Sequence, residues 1–373
     1  MSGLYYRCQA VVKSRRRPNV IIGRNLAVLL SAGLIAQAQL APRIKPPKKE
    51  KEPETQTLPL PPEPPAAVIV ETGKLAFHVS PLSAKGLLTQ QVHDALKALD
   101  RANNGGTFVK LRAFVAGTGD MRRVAAIVSE EFSDRKIPLP AVTTIQVGAL
   151  PMEGAQVVIE SISAEKKPVN PNGLAFFSAQ RAVGSSQAVA QLAQAAKTEQ
   201  AVMLQVTCFL PDFTKLDSAR ASVTSAFPGA SANFVQLTRL AVEPQTSCEG
   251  LGRLTHPPRS PVEFLAGSGV AVNHPKLIFT DAQIAFTASG ARDEDLRLAY
   301  GRLGRALESV QGSYSRSVVM NIYALNPAVA DRAAALAPEF LGSAARPAGA
   351  TQVVEGLPSL DATVAIELVA LGP

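Results

Sequence analysis

The chain reads as an α+β protein in which three sheets pack together around one axis, an intramolecular pseudo-trimer. Three observations predict it. The 373 residues suit two or three units of about 100 residues each. One order of strand and helix patterns recurs three times along the chain, as tandem units keep their element order after losing most identities. The strands are apolar on both sides, and a sheet of that kind must bury its second face against something. With 46% apolar residues and a mean hydropathy of +0.11, the chain has material for real cores despite lacking Trp, and it classes as globular.

Each copy opens on a short strand pattern, at Gly73–Ser80, Asn172–Gln180 and Pro275–Gln283. A helix follows. In the third copy Leu296, Tyr300, Leu303, Leu307 and Val310 form one apolar stripe at spacings of four and three; Val92, Leu96 and Leu99 do so in the first. The middle counterpart, Ala188–Ala201, is rich in Ala and Gln and predicts a smaller helix. A strand with alternating apolar residues comes next: Val109, Leu111, Ala113 and Val115; then Val206, Cys208 and Leu210; then Val318, Met320, Ile322 and Ala324. The second helix starts at a capping residue type, Asp120, Asp212 or Asn326 followed by Pro327. Its stripe ends in Phe132, Phe227 or Phe340. Two strands close each copy: Thr143–Val147 with Ala155–Glu160, Asn233–Leu237 with a weak tail near Ser247, and Thr351–Val354 with Ala362–Glu367.

The net charge of +8 is unevenly placed. Residues 1–52 hold 11 Lys and Arg against 2 acids, which leaves 27 basic and 28 acidic residues in the rest. A nucleic-acid binder carries its basic patch on the folded part, so this balance argues against nucleic acid. Arg15, Arg16, Arg17 and Arg24 precede the apolar run Leu26–Ala36, and Ala36 and Ala38 bracket Gln37. Those are the parts of a secretory signal, residues 1–38, and they predict export to the periplasm or beyond. The alternative is an uncleaved membrane anchor, but a stable span takes about 20 apolar residues and this run is shorter. Nine prolines between Leu40 and Pro65 make residues 39–65 an extended linker. The three copies then occupy residues 66–163, 172–254 and 269–373.

Cys208 and Cys248 are free either to pair after export or to stay as buried thiols. No Cys or His spacing predicts a metal, His78, His93, His256 and His274 being dispersed, and no motif predicts a cofactor. Gly250 and Gly252 lack the rest of a dinucleotide fingerprint and read as a turn.

From Val109 to Ser163 the runs Val109-Lys-Leu-Arg-Ala-Phe-Val115, Thr143-Thr-Ile-Gln-Val-Gly-Ala-Leu-Pro151 and Val157-Val-Ile-Glu-Ser-Ile162 stand in the order of the RidA/YjgF family, which this segment resembles. Pro347–Pro358 and Val364–Ala370 resemble it again, and the middle copy resembles it weakly. The resemblance implies a chorismate-mutase-like fold, trimeric packing, small-molecule clefts between neighbouring units, and hydrolysis of enamines and imines such as 2-aminoacrylate. In this chain those clefts would lie within one polypeptide, expected as a monomer. The family's carboxylate-binding arginine aligns with Val142, near Ala232, and with Gly349, none of which supplies a charge. The family's acidic position on the closing strand is retained as Glu160 and Glu367, candidates for a general base or a water-orienting group, and is Leu251 in the middle copy.

These readings predict an exported RidA-like protein that binds an unknown small molecule or a protein partner in its clefts without standard 2-aminoacrylate deaminase activity. The alternatives are an enamine or imine hydrolase with an atypical site, and a structural or regulatory scaffold.

Overall fold

The computed structural model describes residues 60–117, 121–240, 244–266, 269–286, 292–342 and 345–373. The signal segment, most of the linker and Asp120 lie outside the described residues. In chain order come β1 (Ala67–Glu71), β2 (Leu75–Val79), α1 (Leu88–Ala102), β3 (Thr107–Ala116), α2 (Arg122–Asp134), β4 (Ala141–Val147) and β5 (Val157–Ala164). Then follow β6 (Leu174–Ala182), α3 (Ser185–Thr198), β7 (Ala201–Leu210), α4 (Leu216–Ala226), β8 (Ser231–Gln236), β9 (Thr246–Leu254), β10 (Val262–Leu265) and β11 (Gly269–Val272). The last are β12 (Lys276–Thr280), β13 (Gln283–Phe286), α5 (Asp293–Glu308), β14 (Ser317–Ala324), α6 (Pro327–Leu341), β15 (Thr351–Val353) and β16 (Ala362–Leu371).

The protein is mixed α+β, with six α-helices and three mixed sheets among the described residues. The sheets run β2-β5-β3-β4, β10-β11-β6-β9-β7-β8 and β1-β12-β16-β14-β15, with β13 also on β16. In each, the closing strand is antiparallel to the two strands that flank it, and the next pair is parallel. Two segments cross between sheets. β1 pairs with β12 of the third sheet, and β11, which the sequence put at the head of the last copy, pairs with β6 of the second. Each covers an edge that would otherwise leave backbone groups unpaired.

The helix stripes pack as their spacing requires. Val92, Leu96 and Leu99 of α1 and Leu296, Tyr300, Leu303 and Leu307 of α5 are buried under their sheets. Helix α3 differs from expectation: at 14 residues it nearly matches α1 at 15, and it buries Ala188, Val189, Leu192 and Ala196. Small side chains thin the interface without shortening the helix, since Ala favours helix by itself. Asn326 caps α6 by accepting from Val329 N at 2.9 Å. Asp212 instead accepts from Thr214 N in a local turn, and α4 begins four residues later at Leu216. The weak tail near Ser247 is a nine-residue strand, β9, with Gly250 and Gly252 inside it rather than in a turn. A Cβ on Gly250 would stand 2.9 Å from Met203 Sδ, so a larger residue there would displace the end of the Met203 side chain.

The other faces of all three sheets meet. One apolar cluster joins Leu75 and Phe77, Leu174 and Phe176, and Leu277 and Phe279; a second joins Phe114, Phe209 and Tyr323. Simple alternation fails along β3, β7 and β14, because each carries a register shift, at 108/110, 203/205 and 317/319. A bulge puts two neighbouring residues on one side and resets the pattern. Lys110, Arg112 and Phe114 therefore face the centre, while Leu111, Ala113 and Val115 face the helices.

Candidate functional site

Between the two central clusters, polar side chains from all three sheets converge. In register, Arg112 opposes Glu160, Thr207 opposes Glu249, and Asn321 opposes Glu367. The acidic position of the middle sheet is therefore Glu249, not Leu251, which lies two residues on in the apolar layer. Around Glu249 the strand reads Cys248-Glu-Gly-Leu-Gly252, without the apolar run that precedes Glu160 and Glu367, so its pattern does not mark the acidic position.

Arg112 is the hub. Its Nε donates to Glu160 Oε2 at 2.8 Å, its Nη2 to Glu249 Oε1 at 2.6 Å, and its Nη1 to the Tyr323 hydroxyl at 3.2 Å. Its guanidinium carbon also stands 5.2 Å from the Phe114 ring centroid. Lys110 Nζ spends its three donors on Thr143 Oγ1 and the Thr280 carbonyl, both at 2.5 Å, and on Glu367 Oε2 at 2.8 Å. Glu160 Oε1 also accepts from Thr207 Oγ1 at 2.6 Å and from Asn233 Nδ2 at 2.7 Å. Glu367 accepts from Thr143 Oγ1 and Tyr323 at 2.7 Å and from Asn321 Nδ2 at 3.1 Å.

The carboxylates are not equivalent. Burial pushes Glu367 up, but the charges of Lys110 and Arg112 and hydrogen bonds from Lys110 and Thr143 overcome it and hold the carboxyl at about 2. Burial raises Glu249 from the ordinary glutamate value; Arg112 opposes this and Glu160 adds to it. Beside the network, burial pushes Asp281 up to about 6, against a hydrogen bond from Gln283 Nε2 and the charge of Lys110. Glu367 is thus too weak a base for proton abstraction near neutral pH, and the two glutamates predicted from sequence are the most fully hydrogen-bonded of the three.

The network forms part of the wall of an axial cavity of about 120 Å³. Phe77, Phe176 and Phe279, one from each sheet, contribute to its apolar wall with Leu251 and Val369. Of the positions aligned with the family arginine, Gly349 lines this cavity. Val142 and Ala232 do not: they pair with Leu111 and Val206, which face the helices, and Val142 packs into that side. Strand alternation gives the central face to their neighbours Thr143 and Asn233. Gly349 sits at φ +126°, and a Cβ there would lie 2.1 Å from the Met320 carbonyl.

Cys208 and Cys248 are bonded directly across β7 and β9, buried beneath α3 and α4. No group of His, Cys, Asp and Glu suited to a metal ion occurs among the described residues, and none of their helices is long and apolar enough to cross a membrane.

No protein-family model matches the chain, and no curated protein matches it. Among solved structures the chain is similar to a Rid-family protein of unknown function from Yersinia pestis, at 20% identity over 28% of this chain and 84% of that one, with a TM-score of 0.25. It is also similar to a YjgF-family protein from Mycobacterium tuberculosis, at 21% identity over 28% of this chain and 85% of that one, TM-score 0.23. A YjgF-family protein from Neisseria meningitidis gives 17% identity over 28% of this chain and 87% of that one, TM-score 0.24.

Proposed function

We propose that this chain is an exported RidA-like binding protein: three tandem, diverged units that form an intramolecular pseudo-trimer and take a small molecule in the axial cavity, without standard 2-aminoacrylate deaminase chemistry. The recurring strand–helix–strand–helix–strand–strand order and the meeting of three sheet faces support the tandem reading. The basic and apolar N-terminal pattern and the Cys208–Cys248 bond support export.

One observation carries the absence of deaminase chemistry. Both cations of the cavity wall, Lys110 and Arg112, are committed to three carboxylates, so an amino-acid imine finds no free charge for its carboxylate. Purified chain should leave the spontaneous decay of 2-aminoacrylate unchanged. Clearance at a rate comparable to ordinary RidA proteins overturns the reading. A solution mass of one chain supports the pseudo-trimer; a mass of three chains counts against it.

A second reading, an imine hydrolase with an atypical site, is favoured by Glu249 alone. It lines the cavity, accepts from Arg112 alone among the described residues, and has a raised carboxyl suited to proton transfer. Glu249→Gln should then abolish any imine turnover the chain displays, while unchanged turnover removes the idea.

A further inference from the structure

The three sheets differ at one edge. β12 of the third sheet carries β1 on its outer side, and β6 of the second carries β11; β2, which holds the same place in the first sheet, pairs on that side with no strand. The two covers read alike. Val68 and Val70 stand opposite Phe279 and Leu277, and Val270 and Val272 stand opposite Phe176 and Leu174. Leu75 and Phe77 of β2 belong to the same apolar cluster as all of these, without a strand across from them. Connectivity accounts for the difference. β10 and β11 fold from the connection 255–275 between β9 and β12, whereas residues 165–173 alone join β5 to β6. That short segment holds Pro168 and Pro171 and is bound at the start of β2, where Val169 N and Asn170 N donate to the Gly73 carbonyl at 2.7 and 2.9 Å.

The backbone and side chains of this edge both register the missing strand. Ser80 N donates to the Ile159 carbonyl at 2.8 Å, so by the two-residue period of a strand Ala76 and His78 bond to β5, while Leu75, Phe77 and Val79 turn their backbone groups outward. Side chains engage two of the outward carbonyls: Asn170 Nδ2 donates to Leu75 O at 2.7 Å, and Ser231 Oγ to Phe77 O at 3.3 Å. The N–H groups of Phe77 and Val79 have no partner among the described residues. Ala76 is partly exposed, whereas Ala175 and Ile278, its counterparts on β6 and β12, are fully buried. The bulge residues of β3, β14 and β7 follow the same division. Val109 and Val318, on the strands against which β1 and β11 lie, are 2% and 1% exposed, and Leu204 of β7, beside β2, is only partly buried.

We propose that the outer edge of β2 docks an extended peptide segment of another protein, paired antiparallel, with valine or isoleucine opposite Leu75 and Phe77. The chemistry of the occupant is read from the two covers in place: a backbone that bonds the outward groups of the edge strand, and two β-branched residues at alternate positions that close the apolar layer. Charged residues at those two positions would be desolvated against Leu75, Phe77 and Leu204 with no partner. The chain itself has no such segment to spare. β1 and β11 are already paired, and the linker is broken by prolines, which have no N–H to give a ladder. The proposal is independent of what the axial cavity binds.

The test is a titration of the full chain, followed by backbone amide NMR shifts, with a blocked peptide of the β1 sequence, Ala-Val-Ile-Val-Glu. Two control peptides carry serine at both valine positions or N-methyl groups on both valines. The parent peptide should give saturable shifts at residues 75–79 and 202–204. The serine peptide should bind about tenfold more weakly for want of apolar contact, and the N-methylated one should not saturate, because it cannot donate to the edge. Leu204→Lys, at a partly exposed position, should weaken the parent peptide by about tenfold as well. The proposal is overturned if the parent peptide does not saturate, if the N-methylated peptide binds as well as the parent, or if Leu204→Lys leaves binding unchanged. Shifts confined to residues 276–280 overturn it too, since the peptide would then be replacing β1 on β12. So do shifts at 75–79 that grow with chain concentration without peptide, which would give the edge to a second copy.

Discussion

The Nη2 of Arg112 lies 2.6 Å from Glu160 Oε2 and 2.6 Å from Glu249 Oε1, so one guanidinium on the first sheet ties its own closing strand to that of the second. Removing one partner of a buried ion pair leaves uncompensated charge, which costs about 3–5 kcal/mol, whereas replacing the whole group by apolar residues can be neutral. Arg112→Met should destabilise the chain by roughly that amount in urea unfolding. Arg112→Met combined with Glu160→Gln and Glu249→Gln should recover part of the loss. If the single variant costs under about 1 kcal/mol, the network is not what holds the sheets in register.

Glu367 makes stability pH-dependent in acid. Its folded carboxyl, at about 2, lies below the ordinary 4.5, so its contribution is present above about 4.5 and is lost as pH falls toward 2. The size is on the order of 3 kcal/mol. Asp281 acts in the opposite sense: raised to about 6 from 3.8, it costs stability increasingly as pH climbs through that interval. Stability measured by denaturant between pH 2 and 8 should rise steeply from pH 2 to about 4.5. Glu367→Gln should flatten that limb, and Asp281→Asn should flatten any decline above it.

Restoring the family arginine at position 349 should fail. Any side chain there meets the Met320 carbonyl, and φ +126° strains a non-glycine residue, with a cost of order 1–3 kcal/mol or more. Gly349→Arg and Gly349→Ala should both lower the melting temperature. Gain of 2-aminoacrylate clearance by Gly349→Arg would contradict this geometry.

The bond between Cys208 and Cys248 joins residues 40 apart and should contribute about 3–4 kcal/mol by restricting the unfolded chain. Cys208→Ala with Cys248→Ala should shift the urea midpoint down accordingly. An unchanged midpoint in the absence of reductant would mean that the pair is not bonded in the protein.

Much of the fold was legible because helix and strand patterns are local. The stripe of Leu296, Tyr300, Leu303 and Leu307 and the cap at Asn326 are fixed by residues three or four apart, and each buries or bonds as its spacing requires. The candidate site was legible only as single residues. Glu160 and Glu367 stood out as carboxylates in apolar strands, but nothing local linked either to Lys110 or Arg112, which come from 48 to 257 positions away. One signal was there to be read: Lys110 and Arg112 alternate within an apolar run, and charges so placed on a buried strand need carboxylates nearby.

The sequence by itself determined the order of elements, their apolar faces and the two cysteines, since periodicity and side-chain type act within a few residues. Tertiary structure decided which carboxylates meet which cations, that Glu249 joins them, that Val142 and Ala232 face the helices, and that Cys208 reaches Cys248. Bulges reset which side of a strand a residue occupies, and pairing across three sheets brings together groups whose attraction exists only once water has been excluded from between them.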